Sequence, residues 1–343
     1  MSLDVIVCDS SYAKAWDNFV DLQPKALYCH RFEWSNVVRN AYGYSSNYLA
    51  ALESNEIVGV FPVIVVPHLT ARKQGISLAF SSYGGPLIRP GVDSKLILEK
   101  FFSNLNEAGI SRVVTRIVKG RGTTSFSRAE VTMIRDLPSN EGLLWKEIGP
   151  KARNQIRKAT KSGLSFSKEG NRIQDFYDIY TEKMYQLGTP VHSKRFFEEI
   201  LEGYKNYSRI VTIKFQARTV GVMLLIHYRD TASDPFAATL PEFNHLCPSM
   251  LMYWEAMCDA IQRGLGRFDM GRSQYGSGTY LFKKQWGAEP YEIDYSVIDR
   301  NGSHSIENNF YRSHAALFLS KIWCQMPRVV QRNLGPKVRR FMA

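Results

Sequence analysis

The 343-residue chain lacks a hydrophobic run long enough to cross a bilayer: its greasiest stretch, IVGVFPVIVVP at residues 57–67, is short and holds two prolines. Its first residues, MSLDVIVCDSSYAKAWDNF, carry no basic segment leading into a long apolar core, so a cytoplasmic protein is expected. Cysteine is scarce. Cys8, Cys29, Cys247, Cys258 and Cys324 are dispersed and form no CxxC pair, which predicts a reducing compartment and no metal site. The seven histidines show no HExxH or other paired spacing, and no GxSxG elbow occurs. Neither the P-loop pattern nor GxGxxG is present, so nucleotide hydrolysis and nicotinamide chemistry lose support. What remains is catalysis by positioning and electrostatics, or binding alone.

Acid is missing where base is dense. From Ile148 to Lys168 there are six Lys or Arg and not one Asp or Glu. Read as a helix, GPKARNQIRKATKSG places Ala152, Ile156 and Ala159 on one stripe and Lys151, Arg153, Arg157, Lys158 and Lys161 around the rest. Arg153, Arg157 and Lys161 then repel one another at i,i+4 spacing, each pair costing about 0.2–0.5 kcal/mol. Such a face implies an anionic partner. The formal net charge of +12 agrees and admits nucleic acid, nucleotides, coenzyme A or an anionic membrane surface.

With 44% hydrophobic and 13% aromatic residues the chain has ample material for packed cores, and its length predicts two domains. The first half reads as a strand at 5–7, helices over 12–19 and 32–41, a hairpin of YLAALE and EIVGVFPVIVV around SNE, a strand GISLAF, a helix over 94–108, and strands RVVTRIV and AEVTMIRDL. LPSNEG, at 137–142, has the composition of a linker. The second half repeats that grammar: helix 143–162, strand 164–168, helices 172–187 and 194–204, strands RIVTIKFQ, VGVMLLIHY and DPFAATL, helix 249–263 and strand RFDMG. Expected domains are therefore 1–140 and 141–303. A C-terminal segment, 304–343, combines an amphipathic helix with Phe310, Ala316, Leu317, Ile322 and Trp323 and, after Pro327, a basic tail suited to an anionic membrane.

The richest stretch is FDMGRSQYGSGTYLFKKQWGAEP, residues 268–290. Phe268–Gly271 reads as a buried strand with Arg272 at its end, Gly276 and Gly278 allow an amide-lined loop, and residues 280–286 read as a helix carrying Phe282, Lys283 and Lys284. Strand end, glycine loop, helix start and lysine suit a phosphate or carboxylate. Asp269 reads as a base or as a partner for Arg272. Leu251, Trp254, Cys258 and Ile261 read as core, Ser193 as an N-cap, and His192 carries no assigned role.

GPKARNQIRKATKSGL, QLGTPVHSKRFFEEIL, CPSMLMYWEAMCDAIQRG and RFDMGRSQYGSGTYLFKKQWGAEP, in this order, together with the earlier EIVGVFPVIVV and LAFSSYGGPL, resemble the FemAB-like family. The likeness covers about residues 30–300 and is nearest the branch associated with exosortase and exopolysaccharide loci. It implies an α/β fold of two tandem GNAT-like (N-acetyltransferase-like) domains and a cytoplasmic aminoacyltransferase acting on a peptidoglycan precursor. By the same resemblance Arg153, Asn154 and Arg157 approach the phosphates of a nucleotide-linked precursor, and Phe282 and Lys283 lie near the acceptor and the tRNA end. RSQYGSG sets its glycines one position further from Arg272 than a CoA-binding Q/R-x-x-G-x-G/A loop, and no coiled-coil arm is inserted. Acyl-CoA and aminoacyl-tRNA thus both stand as co-substrates, with no tightly bound cofactor. The expected mechanism is direct acyl transfer to an amine. Lys283 stabilises developing negative charge, Arg153, Arg157 and Arg272 bind phosphate, and Tyr275 or Asp269 takes the amine proton. An N-acyltransferase acting on an amino sugar, and a non-catalytic adaptor for RNA or a polysaccharide assembly, are the alternatives.

Overall fold

The computed structural model describes residues 3–67, 73–121, 130–168, 172–299, 304–306 and 314–342. The chain divides into two compact units: Met1–Val118 with Ile293–Phe310 and Val338–Ala343, and Lys119–Glu292 with Tyr311–Lys337.

The first unit contains β1 (Leu3–Val7), α1 (Ala13–Leu22), α2 (Glu33–Tyr42), β2 (Ser45–Glu53), β3 (Glu56–Pro67), β4 (Lys73–Ser77), β5 (Leu87–Ile88), α3 (Ser94–Glu107) and β6 (Arg112–Arg121). Its sheet runs β1-β2-β3-β4-β6, antiparallel except for β4 with β6. The expected hairpin forms because Ser54 and Asn55 both adopt left-handed φ, 51° and 67°, a two-residue turn that closes Glu53 on Glu56. Ile97, Phe101 and Leu105, four residues apart, are the buried stripe of α3, and Asp93 caps that helix by accepting from Leu96 N–H. Trp16 stacks on Tyr48 at 4.9 Å and donates Nε1–H to His30 O at 2.7 Å. The imidazole of His30 is itself enclosed: Nδ1 accepts from Leu27 N–H at 3.0 Å, and Nε2 lies 3.1 Å from Gly85 O, which it reaches as the donor.

The second unit contains β7 (Glu130–Asp136), α4 (Glu141–Glu147), α5 (Pro150–Lys161), β8 (Leu164–Ser167), α6 (Ile173–Gln186), α7 (Lys194–Gly203), β9 (Ser208–Phe215), β10 (Arg218–Tyr228), β11 (Thr231–Thr239), α8 (Pro248–Gln262), β12 (Arg267–Gln274) and α9 (Gly278–Lys284). β13 (Glu289–Asp299) starts here against β7, and its far end carries β14 (His304–Ile306). The sheet order is β7-β12-β11-β10-β9-β8; only the β11–β12 pair is parallel. α8 packs against α5 and the sheet, burying Leu251 and Cys258, with Trp254 and Ile261 partly covered.

Three expectations are modified. The helix expected over 143–162 is two helices, because Pro150 has no N–H to continue α4 and starts α5 at its first position, after an extended Gly149. The segment expected as a linker, 137–142, lies within the second unit, where Asn140 caps α4 by accepting from Leu143 N–H. The tail after Pro327 is helical: α11 (Arg328–Arg339) follows α10 (His314–Gln325), and Gln331 joins them by donating to Trp323 O and Met326 O at 2.6 and 2.9 Å. Gly188, at φ +62°, leaves the space that Ser320 and Cys324 of α10 fill. Trp323 is buried as expected and Ile322 is exposed; Phe310 and the side chains of Ala316 and Leu317 lie outside the described residues. No helix among the described residues is long and apolar enough to cross a membrane.

Burial holds the pKa of His30 down at about 4, from 6.5. The unfolded chain therefore takes up a proton that the folded one refuses. Stability from this group is present above the unfolded pKa and lost as pH falls towards 4. Denaturant titrations at pH 7.5 and pH 5 are expected to show a loss in the wild type that shrinks in His30→Gln; equal losses in the two proteins would show that His30 is not responsible.

Candidate active site at a forked sheet

The parallel ladder of β11 and β12 runs only from Thr231↔Arg267 to Ser233↔Asp269. Each strand then bulges. On β11, Asp234 and Pro235 together face the single residue Leu225, between the pairs Ile226↔Ser233 and Leu224↔Phe236. On β12, Met270 and Gly271 together face Met133, between Asp269↔Ile134 and Arg272↔Thr132, with Gly271 at φ +70°. A bulge bends its strand and re-aims its side chains. Two bulges in adjacent parallel strands, starting at the same level, open the sheet into a fork.

At the base of that fork sit three ionisable side chains. Lys283, buried on α9, donates Nζ–H to Gly271 O at 3.0 Å and Arg272 O at 2.8 Å, so it straps down the β12 bulge. Asp269 Oδ1 accepts from Thr132 Oγ1–H and from Gly271 N–H, both at 2.9 Å, holding the same bulge from the other side. Asp234 is buried in the β11 bulge; its Oδ2 accepts a short hydrogen bond from Tyr253 Oη–H of α8, and its Oδ1 is buried with no hydrogen-bond partner. Burial drives the Asp234 pKa up to about 7, the negative charge of Asp269 adding to it and Lys283 and Tyr253 opposing it. Lys283 is pushed below its ordinary value, again chiefly by burial, against the pull of Asp234 and Asp269. With one ammonium and two carboxyl groups, the cluster is neutral when Asp234 carries a proton.

Of the residues expected from sequence, the fork gathers Lys283 and Asp269, with the Phe282 ring 5.2 Å from that of Tyr253. The loop beyond β12 holds the next group. Arg272 faces Glu130 at 3.5 Å, Tyr275 lies 4.7 Å from the Tyr280 ring, Gly276 takes φ +75°, and Gly278 opens α9. Ser277 already accepts from Tyr280 N–H, so the loop spends one of its amides on its own cap.

The third group is on α5. Its stripe of Ala152, Ile156 and Ala159 is buried as the spacing predicts, which turns the bases outward. Arg153 is the exception: it donates to Trp145 O, Lys146 O and Ile148 O at 3.2, 3.3 and 2.6 Å, closing the C-terminal end of α4. Arg157 lies over the Trp145 ring at 5.2 Å and donates to Asn154 Oδ1 at 3.3 Å. Among the described residues no carboxylate pairs with Lys151, Arg157, Lys158 or Lys161. The sequence reading missed Asp234, Tyr253 and Thr132. The available signal was an acid in phase with Ala232, Phe236 and Ala238 on an otherwise apolar face of the strand.

The acetyltransferase (GNAT) domain family matches residues 150–291, the span that holds the fork. No curated protein matches the chain at a significant level. Among solved structures, FemX superposes with a TM-score of 0.64 at 15% identity, over 84% of this chain and 95% of that one. A tandem GNAT protein from the clavulanic acid biosynthesis pathway gives 0.56 at 9%, over 88% and 100%. L-PGS from Bacillus licheniformis gives 0.51 at 11%, over 91% and 97%. The fold expected from the FemAB-like resemblance is the fold observed: the chain has a tandem GNAT-like fold, and residues 150–291 of its second unit match the acetyltransferase (GNAT) domain family.

Proposed function

We propose that the chain is a cytoplasmic acyltransferase that moves an acyl or aminoacyl group from an activated carrier, aminoacyl-tRNA or acyl-CoA, to an amine of a cell-envelope or exopolysaccharide precursor. The observation that carries this reading is the forked sheet with a buried, charge-balanced cluster inside the GNAT domain. Neutral amine attacks the donor carbonyl, the N–C bond forms as the C–O or C–S bond breaks, and the amine proton leaves with the carrier's oxygen or sulfur. Such a reaction needs an oriented carbonyl and compensation of transient negative charge.

The remaining parts have matching uses. The unpaired cations of α5 suit the phosphates of a donor or of a nucleotide-linked acceptor. Arg153 serves them by fixing α4 against α5, so its effect on binding is indirect. A cavity of about 760 Å³ at the end of β11, lined by Arg172, Asp175, Glu182, Arg218, Glu242 and Arg328 among others, offers both signs of charge to an amine-bearing precursor. Exposed Val329 and Leu334 beside Lys337 on α11 suit peripheral contact with the inner face of an anionic membrane.

Transfer of radiolabelled acyl groups from acetyl-CoA, longer acyl-CoAs and charged tRNA to a mixed amine panel tests the reading; no transfer from any donor would defeat it. With a productive donor, Lys151→Glu/Lys158→Glu/Lys161→Glu is expected to raise KM about tenfold and flatten its salt dependence, leaving kcat in place. A loss confined to kcat would remove α5 from binding. Lys283→Met leaves two buried carboxyl groups without their countercharge and is expected to cost about 3 kcal/mol of stability in urea denaturation. A variant as stable as the wild type would contradict its role as a strap.

A further inference from the structure

Asp234 has a feature that transfer at the fork, as just proposed, does not yet use. Its Oδ2 receives the Tyr253 hydroxyl hydrogen, while its Oδ1 is buried and meets nothing. An ionised oxygen left bare in a dry site is costly, and so is an unanswered donor. The groups that act on it are Lys283 on α9, Asp269 on β12 and Tyr253 on α8; Arg272 in turn faces Lys283, and Thr132 of β7 holds Asp269. Lys283 gives two of its N–H groups to the carbonyls of Gly271 and Arg272, and its charge is the largest effect opposing burial at Asp234. Burial outweighs that charge. Oδ2 is occupied as an acceptor, so a proton on this carboxyl resides on Oδ1. The bulge places that buried group just past the end of the β11–β12 ladder.

We propose that Asp234 works as a neutral carboxylic acid whose Oδ1–H donates to the carbonyl oxygen of the acyl donor in the fork, holding the oxyanion as the amine adds. This rests on the transfer reading above. The acid gives no proton away: the amine's proton goes to the departing oxygen or sulfur, and Asp234 ends the cycle protonated as it began. A carboxylic acid kept neutral by its surroundings is a competent donor of this kind. Tyr253, by occupying Oδ2, is a positioning residue that orients the acid. The direction of the Asp234 shift agrees: the donor is present below about pH 7 and lost as pH rises through it.

Three measurements test this. Difference infrared spectra of wild type against Asp234→Asn are expected to show the carbonyl band of a protonated carboxylic acid at pH 6 that fades as pH rises through about 7 and shifts when the productive donor is added. This readout does not depend on turnover, so it separates failure of the present proposal from failure of the transfer reading. In single-turnover assays Asp234→Ala is expected to lose roughly 100–1,000-fold, the usual cost of one oxyanion donor. Asp234→Asn, which still offers an N–H, is expected to recover most of that loss, and the wild-type to Asn rate ratio is expected to fall with rising pH, the substrate amine's own titration cancelling. A wild type whose acid is ionised at pH 6, or a band indifferent to the donor, overturns the proposal. So does an Asp234→Asn as inactive as Asp234→Ala with a ratio that climbs with pH, because Asp234 would then be accepting the amine's proton.

Discussion

The second unit is organised around one lysine that cannot be solvated. Lys283 is held by the carbonyls of Gly271, in the β12 bulge, and of Arg272, the residue at which the ladder with β7 resumes. Buried ammonium, bulge and flanking carboxyls are therefore mutually dependent. A regular β12 would offer no carbonyl pair to the amine, and an unstrapped bulge would have no reason to persist beside an apolar core. Gly271 makes the geometry affordable, since its φ of +70° is a region that side chains avoid. Trp286 and Tyr280, both buried, seat α9 so that Lys283 points to this spot.

The same unit treats its other cations in two opposed ways. Asp259, buried near the end of α8, gathers Lys168, Arg209 and Arg263 at 2.8, 3.5 and 3.1 Å, with His227 at 3.7 Å. His227 stays neutral there because burial, with the Arg209 and Lys168 charges, pulls its pKa down to about 4. There one buried carboxylate is shared by three cations, and the hub ties the ends of β8, β9, β10 and α8 together. On α5, in contact with the same α8, Lys151, Arg157, Lys158 and Lys161 meet no carboxylate among the described residues. Their mutual repulsion is retained in the free protein and relieved by an anion, which is why this face, and not the hub, reads as a binding surface.

How much of this was legible in the sequence follows from how local each determinant is. The α5 stripe, the Ser193 cap, the SNE hairpin and the apolar face of α8 depend on residues within a turn or two of one another, and spacing alone reveals them. The break at Gly149–Pro150 is equally local, but helical periodicity on both sides of it masked two helices as one. The fork is of another kind. It depends on register, on two strands bulging at the same level, and the pairing of Asp234 with Tyr253 spans 19 residues and two elements. Lys283 stood out because it lies in a motif; Asp234, although in phase with the buried Ala232, Phe236 and Ala238, lies in a strand with no motif to mark it.

The opening of α8 bears on where a carrier's phosphates go. β11 leads to α8 through a short 3-10 helix, Pro241–Leu246, and Cys247 in the left-handed region. Pro248 then occupies the first helical position and has no N–H, while Met250 and Leu251 donate theirs to Cys247 O. Few amides remain to meet an anion, and Glu242 in the 3-10 helix, though paired with Arg218, adds negative charge. A helix start following a forked parallel pair is a natural phosphate site, and here it is largely closed. Cations without a carboxylate partner among the described residues are found elsewhere, on α5. On α5 the cations meet no carboxylate among the described residues, while the α8 start has spent its amides, so of these two surfaces it is α5 that an anion would stabilise.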